Sequence, residues 1–130
     1  MSMMARLAVA LLALLIGFSS PAQARGTAPD PLLPEVSIAA LPPEARTTIR
    51  LIEQGGPHPY ERDGTVFHNY EKRLPRRGSE YYREYTVRTP GVRGRGARRI
   101  VSGRGGELYY TDDHYRTFSR VLTQAASRKP

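Results

Sequence analysis

The chain has 130 residues, with 20 Lys and Arg against 12 Asp and Glu, a formal charge of +8 and no cysteine. The missing cysteine argues against a disulfide framework, a thiolate metal site and a lipidated N-terminus. Only Lys72 and Lys129 are lysine, and arginine's planar fork grips phosphate bidentately, which suits a polyanionic partner; a solvated arginine-rich surface fits the same composition equally well.

In chain order, Arg6 and the apolar run "LAVALLALLIGF" precede Ala22-Gln23-Ala24. A short positive region, a run too short to span a bilayer comfortably and a small-x-small site together predict a secretory signal over 1–24, cut after Ala24. The Pro-rich segment 25–35 is expected to be a flexible lead-in. One small domain follows over 36–126, with a short tail at 127–130.

"LPPEARTTIRLIEQGG" predicts one helix. Pro42 and Pro43 suit its first turn, Ala45, Thr48, Ile49 and Ile52 recur at i, i+3, i+4 and i+7, and Gly55 and Gly56 stop it. The period then changes to 2. "TVFHN", "YYREYTV", "ARRIVS", "ELYYT" and "TFSRVL" read as five short strands between turns rich in Gly, Pro and Arg. The expected class is α+β, one helix packed on a small antiparallel sheet.

Alternation along "YYREYTV" puts Tyr82, Glu84 and Thr86 on one face and Tyr81, Arg83, Tyr85 and Val87 on the other. Tyr85 and Val87 then look like core, and Glu84 projects from the opposite face. A cross-strand Glu–Arg pair on a solvated face would explain Glu84. "RGRGARRI" supplies candidate partners, and Ile100 and Val101 resume a strand, which argues against a disordered RNA-binding tract. Arg98 and Arg99 must face opposite ways, and alternation leaves open which of them joins Glu84.

In "YYTDDHY", His114 is open to three readings: metal ligand, structural ring or proton donor. Three consecutive side chains on an extended segment diverge, and no second cluster has metal-ligand spacing, so the metal reading is weak. One Glu, one His and several Arg, by contrast, form the set that cleaves RNA without a metal: a base for the 2′-OH, an acid for the departing 5′-oxygen, and cations for the charge on phosphorus.

The stretches "LPPEA", "GPHPYERDGTVFHNYEKRLP", "YYREYTV", "TPGVRGRGARRIV" and "YYTDDHYRTF" stand in an order that resembles the secreted guanyl-specific ribonucleases of bacteria, the barnase-like microbial family, in its short actinomycete-type branch. The resemblance covers roughly 36–121 and implies that Glu84 is the general base and His114 the general acid. It also implies that Arg95 and Arg99 bind phosphate, with Tyr115 beside the acid. The implied reaction is transphosphorylation to a 2′,3′-cyclic phosphate followed by hydrolysis to a 3′-phosphate, with no metal or cofactor.

"FHNYE" resembles the family's guanine loop. Glu71 would accept from guanine N1–H and the 2-amino group, backbone amides around His68, Asn69 and Tyr70 would meet O6 and N7, and Phe67 would offer an apolar face. Tyr70 stands where close family members carry arginine, and their terminal disulfide has no counterpart here. The implied partner is single-stranded RNA, bound by a secreted monomer that does not engage membrane in its mature form. A small acidic inhibitor of the barstar kind is a further implied partner. The competing expectation is a secreted basic RNA-binding or antimicrobial protein without turnover.

Overall fold

The computed structural model describes residues 29–123. The expected signal segment 1–24 and the tail 127–130 lie outside the described residues. Strand β1 (Glu35–Ser37) and a short 3-10 turn (Ile38–Ala40) lead into helix α1 (Pro43–Gln54). Strands β2 (Thr65–Phe67), β3 (Tyr82–Thr86), β4 (Arg99–Gly103), β5 (Leu108–Thr111) and β6 (Ser119–Leu122) follow.

The helix begins and ends where its punctuation demands. The Pro42 carbonyl accepts from the N–H groups of Ala45 and Arg46 at 3.0 and 3.2 Å. Gly55 adopts φ 77°, so its N–H and that of Gly56 turn back onto Ile52 and Leu51, a left-handed stop that costs glycine nothing sterically. Ala45, Thr48 and Ile49 are the helix's buried residues, and the Thr48 hydroxyl reaches the Thr86 carbonyl of β3 at 3.0 Å. That bond ties the helix to the strand that carries Glu84.

All six strands form one sheet in the order β1-β6-β5-β4-β3-β2. The pairings among β2 to β6 are antiparallel, but β1 runs parallel to β6, with Val36 opposite Val121. The expected antiparallel sheet therefore carries one parallel edge pair. Strand β1 was not among the five expected, because three residues give too short a pattern to register. It starts inside the segment read as a lead-in, where the Pro34 carbonyl accepts from Arg120 N–H at 2.8 Å and Leu33 packs against buried side chains.

The sheet is covered on both faces. On the helix side, Leu41, Ala45, Ile49, Val87, Ile100, Leu108 and Val121 form the main core. Each Leu, Ile or Val side chain among these, removed from water, stabilises the fold by about 1.5–3 kcal/mol. On the other side, Leu74, Tyr82, Val101, Tyr109 and Phe118 form a second cluster. Val87 is fully buried as expected, while Tyr85 is half-buried with the His58 ring 4.9 Å away. The face that carries Glu84 is not the solvated surface an exposed Glu–Arg pair would need. Glu84 is only 7% exposed, with Arg95 and Tyr115 bonded directly to its carboxylate.

Candidate active site

Register fixes what stands beside Glu84. Across the sheet it faces Val101 of β4, and one step along Thr86 faces Arg99, which in turn faces Thr111 of β5. Glu84, Thr86, Arg99 and Thr111 therefore share a face, all of them buried. Arg99, not Arg98, joins Glu84, as the resemblance implies.

Arg99 is 2% exposed, and a buried guanidinium needs partners. Its Nη1 sits among the carbonyls of Arg98, Gly96 and Arg95 at 2.8, 2.9 and 3.3 Å. Its Nε donates to the Tyr115 hydroxyl at 3.2 Å. That hydroxyl donates in turn to Glu84 Oε2. Tyr115 therefore bridges the carboxylate and the arginine. Burial pushes its phenol up to about 12, aided by the bond to Glu84 and by that carboxylate's charge, so the ring stays protonated and a donor.

The second carboxylate oxygen, Oε1, accepts from Arg95 Nη2 at 2.9 Å, while Arg95 Nε donates to Thr86 Oγ1 at 2.9 Å. Arg95 comes in on the 88–98 loop, where Gly96 takes φ 61° and a Cβ would lie 2.8 Å from Thr89 Oγ1. A side chain at 96 would crowd Thr89 within the same loop and strain the turn that presents Arg95. A second guanidinium also reaches Glu84: Arg62 Nε lies 3.8 Å from Oε1, with its side chain 67% exposed. Arg62 was not anticipated. The cue is the "RDG" turn, since Asp63 accepts from Thr86 N–H at 2.7 Å and anchors that turn against β3. One carboxylate among three guanidiniums leaves a net positive surface, ready for an anion.

His114 and Tyr115 lie on the turn after β5, and both adopt left-handed backbone, φ 55° and 71°. For side-chain-bearing residues this costs about 1–2 kcal/mol each. The surroundings hold them there. His114 N–H donates to the Ala97 carbonyl at 2.9 Å, and Tyr115 N–H to Thr111 Oγ1 at 3.1 Å. Asp113 gathers Thr111 Oγ1, Thr117 N–H and Thr117 Oγ1 at 2.8, 2.9 and 2.6 Å. Burial alone would raise its pKa, but these donors outweigh it and hold the carboxyl at about 2. The aspartates of "TDDHY" are thus turn residues, and Asp113 is the one that shapes it. The His114 ring is exposed, 4.9 Å from the Tyr115 ring. Among the described residues no three His, Cys, Asp or Glu side chains gather to hold a metal ion.

The "FHNYE" loop adjoins this cluster through Phe67, whose ring stacks on Tyr115 at 5.0 Å and 25°. Asn69 takes φ 54°, and its amide clamps both the N–H and the carbonyl of Leu74, at 3.0 and 2.9 Å. That side chain is committed to shaping the loop, which leaves backbone N–H groups at its tip for a ligand. His68 and Tyr70 stack on each other at 5.0 Å and 15°, with Tyr70 79% exposed. Glu71 lies exposed on the same loop. The structure thus joins Glu84, Arg95, Arg99 and Tyr115 by direct bonds, sets His114 against Tyr115, and brings the 67–71 loop alongside through Phe67.

A buried carboxylate among arginines, an exposed histidine and a rigid loop beside them define a phosphodiester-cleaving class of site. The family model that matches residues 26–122 is described as ribonuclease, and the chain belongs to that family. It is 58% identical over 88 residues to guanyl-specific ribonuclease St of Saccharopolyspora erythraea, covering 68% of this chain and 87% of that one. It is 55% identical over 87 residues to guanyl-specific ribonuclease Sa of Kitasatospora aureofaciens, covering 66% and 91%. Among solved structures, ribonuclease Sa2 in complex with mononucleotides superposes with a TM-score of 0.70 at 50% identity, over 72% of this chain and 97% of that one. Ribonuclease Sa2 with guanosine-2′-cyclophosphate gives 0.68 at 49%, over 71% and 99%.

Proposed function

We propose that the protein is a guanyl-specific endoribonuclease that cleaves single-stranded RNA through a 2′,3′-cyclic phosphate and then hydrolyses it to a 3′-phosphate. The observation that carries this reading is Glu84, held between Arg95 and the Tyr115–Arg99 pair with the exposed His114 ring alongside. Relatives named guanyl-specific ribonucleases, and a neighbour solved with a guanosine cyclophosphate, support it.

In the first step Glu84 takes the proton of the guanosine 2′-OH, and the 2′-oxygen attacks phosphorus. A carboxylate has about four lone-pair sites, so bonds to Arg95 and Tyr115 leave it able to accept that proton. His114, as imidazolium, protonates the 5′-oxygen as the P–O5′ bond breaks. In the second step neutral His114 takes a proton from water, which opens the cyclic phosphate, and protonated Glu84 returns its proton to the 2′-oxygen. Arg95 and Arg99 face the extra negative charge on the phosphoryl oxygens; because they are fixed beforehand by Thr86 and by loop carbonyls, little reorganisation is needed as the charge develops.

The 67–71 loop supplies base choice. Glu71 accepts from guanine N1–H and the 2-amino group, a pair adenine lacks, and leaving it unpaired costs on the order of 1–3 kcal/mol. Phe67, seated between that loop and Tyr115, sets the distance from base to phosphate. The N-terminal apolar run and its small-x-small site support secretion of the mature chain. Mapping the ends made from one mixed-sequence RNA in EDTA tests the proposal. Fragments ending in guanosine cyclic phosphate are expected; intact RNA, or cleavage that needs a divalent ion, would overturn it.

A further inference from the structure

The loop that reads the base and the turn that bears the acid are separate stretches of chain, yet both limbs of the loop take hold of one residue of the turn. On the outgoing limb the Phe67 ring stacks on the Tyr115 ring at 5.0 Å and 25°. On the return limb Arg73 Nη1 donates to the Tyr115 carbonyl at 3.1 Å. Among the described residues this is the one hydrogen bond between the 67–77 stretch and the 112–118 turn. Arg73 follows Glu71 by two residues and directly precedes Leu74, which is fully buried and pins the end of the limb. The Arg73 side chain is exposed and pairs with no carboxylate among the described residues. Its one bond goes instead to a main-chain carbonyl of the second left-handed residue, whose N–H is held by Thr111 and whose hydroxyl lies between Glu84 and Arg99.

We propose that Arg73 is a positioning residue that couples the base loop to the turn bearing His114 and Tyr115, so that a correctly seated guanine is expressed in the rate of the chemical step and not in binding alone. The inference rests on the guanosine-cleaving reading above and deepens it. A base that fills the loop orders both of its limbs. Phe67 carries that order to the side chain of Tyr115 and Arg73 carries it to the main chain, and His114, the chain neighbour, is ordered with them. A misplacement of about 1 Å can cost a catalytic group about 10²-fold in rate, so a tether that narrows the excursions of the turn acts on kcat. Adenine leaves Glu71 unpaired and does not order the loop, which gives the tether nothing to transmit. Arg73 itself touches neither base nor phosphate; it works through the Tyr115 carbonyl.

The test compares GpU and ApU as substrates for the wild type, Arg73→Met and Arg73→Lys. The position is exposed, methionine keeps most of the stem while removing donor and charge, and lysine keeps a donor for the carbonyl. Arg73→Met is expected to lower kcat for GpU about fivefold, the scale of one exposed charge-assisted hydrogen bond. KM for GpU and kcat/KM for ApU should stay within about twofold of the wild type. Arg73→Lys should recover most of the loss, with all three proteins equally folded by circular dichroism. Equal losses on GpU and ApU would make Arg73 a prop for the acid whatever the base. A rise in KM for GpU with a shallower salt dependence would make it a direct phosphate contact. A loss that lysine does not recover would trace to the stem and not the bond, and unchanged constants would make the side chain solvated surface. Each of these overturns the proposal. If the wild type cleaved neither substrate, the endoribonuclease reading would itself fail, an outcome distinct from these.

Discussion

Replacing Asp113 with asparagine keeps the size of the side chain and removes the charge on which the catalytic turn is built. The carboxylate accepts from Thr111 Oγ1, Thr117 N–H and Thr117 Oγ1, and an amide has one oxygen for these three donors. Hydrogen bonds to a charged group contribute about 1.5–3 kcal/mol when shielded, and partial exposure reduces that by solvent screening. The expected loss at pH 7 is therefore on the order of 1–2 kcal/mol, or about 4–16 °C in Tm for a domain of this size. The folded carboxyl sits at about 2, below its ordinary 3.8. A depressed carboxyl stabilises the fold fully above its unfolded pKa and loses that contribution as pH falls through the folded value. The Tm gap between wild type and Asp113→Asn should thus be constant from neutrality to about pH 4 and largely closed near pH 2. Thermal unfolding followed by circular dichroism at several pH values measures it. Equal Tm values at pH 7, or a gap that persists unchanged near pH 2, would refute the assignment of Asp113 as the anchor of the turn.

Glu84→Gln and His114→Gln should each lower transphosphorylation by about 10²–10⁴-fold while the fold persists, as single-turnover cleavage with a far-UV spectrum would show; near-full activity in His114→Gln would remove the acid assignment. Tyr115→Phe takes away the hydroxyl between Glu84 and Arg99 and should cost about 1–3 kcal/mol, or roughly 5- to 150-fold in kcat/KM; an unchanged kcat/KM would show that the bridge does not contribute to the reaction. Glu71→Gln should narrow the preference for GpU over ApU more than it lowers the rate of phosphate chemistry; an undiminished preference would place base reading elsewhere.

Much of the site was legible because strand alternation is a strict geometric rule. Once "YYREYTV" is read as a strand, Tyr82, Glu84 and Thr86 must share a face, and the structure has them so. The choice between Arg98 and Arg99 was not legible from alternation, since register comes from the hairpin that pairs β3 with β4. Nor was the apolar cluster on the sheet face that carries Glu84. Leu74 and Phe118 are isolated apolar residues in turn-like sequence, and only tertiary folding gathers them with Tyr82, Val101 and Tyr109. Strand β1 escaped for a similar reason: Glu35–Ser37 has no periodicity to read, and its pairing with β6 joins segments far apart in sequence.

The turn that carries His114 explains why sequence reasoning alone left three readings open for it. An extended "TDDHY" would splay its side chains, and two adjacent left-handed residues at His114 and Tyr115 are what undo that expectation. The double reversal carries Tyr115 down to Glu84 and Arg99 while the His114 ring remains at the surface. The two residues need these opposite environments. The tyrosine must stay protonated and fixed to bridge a carboxylate and a buried guanidinium, whereas a proton donor that reloads between cycles must reach solvent. Asp113, which shapes the turn, therefore links the stability of the fold to the separation of these two roles, and the same reversal that hid the site from the sequence is what makes adjacent residues serve it differently.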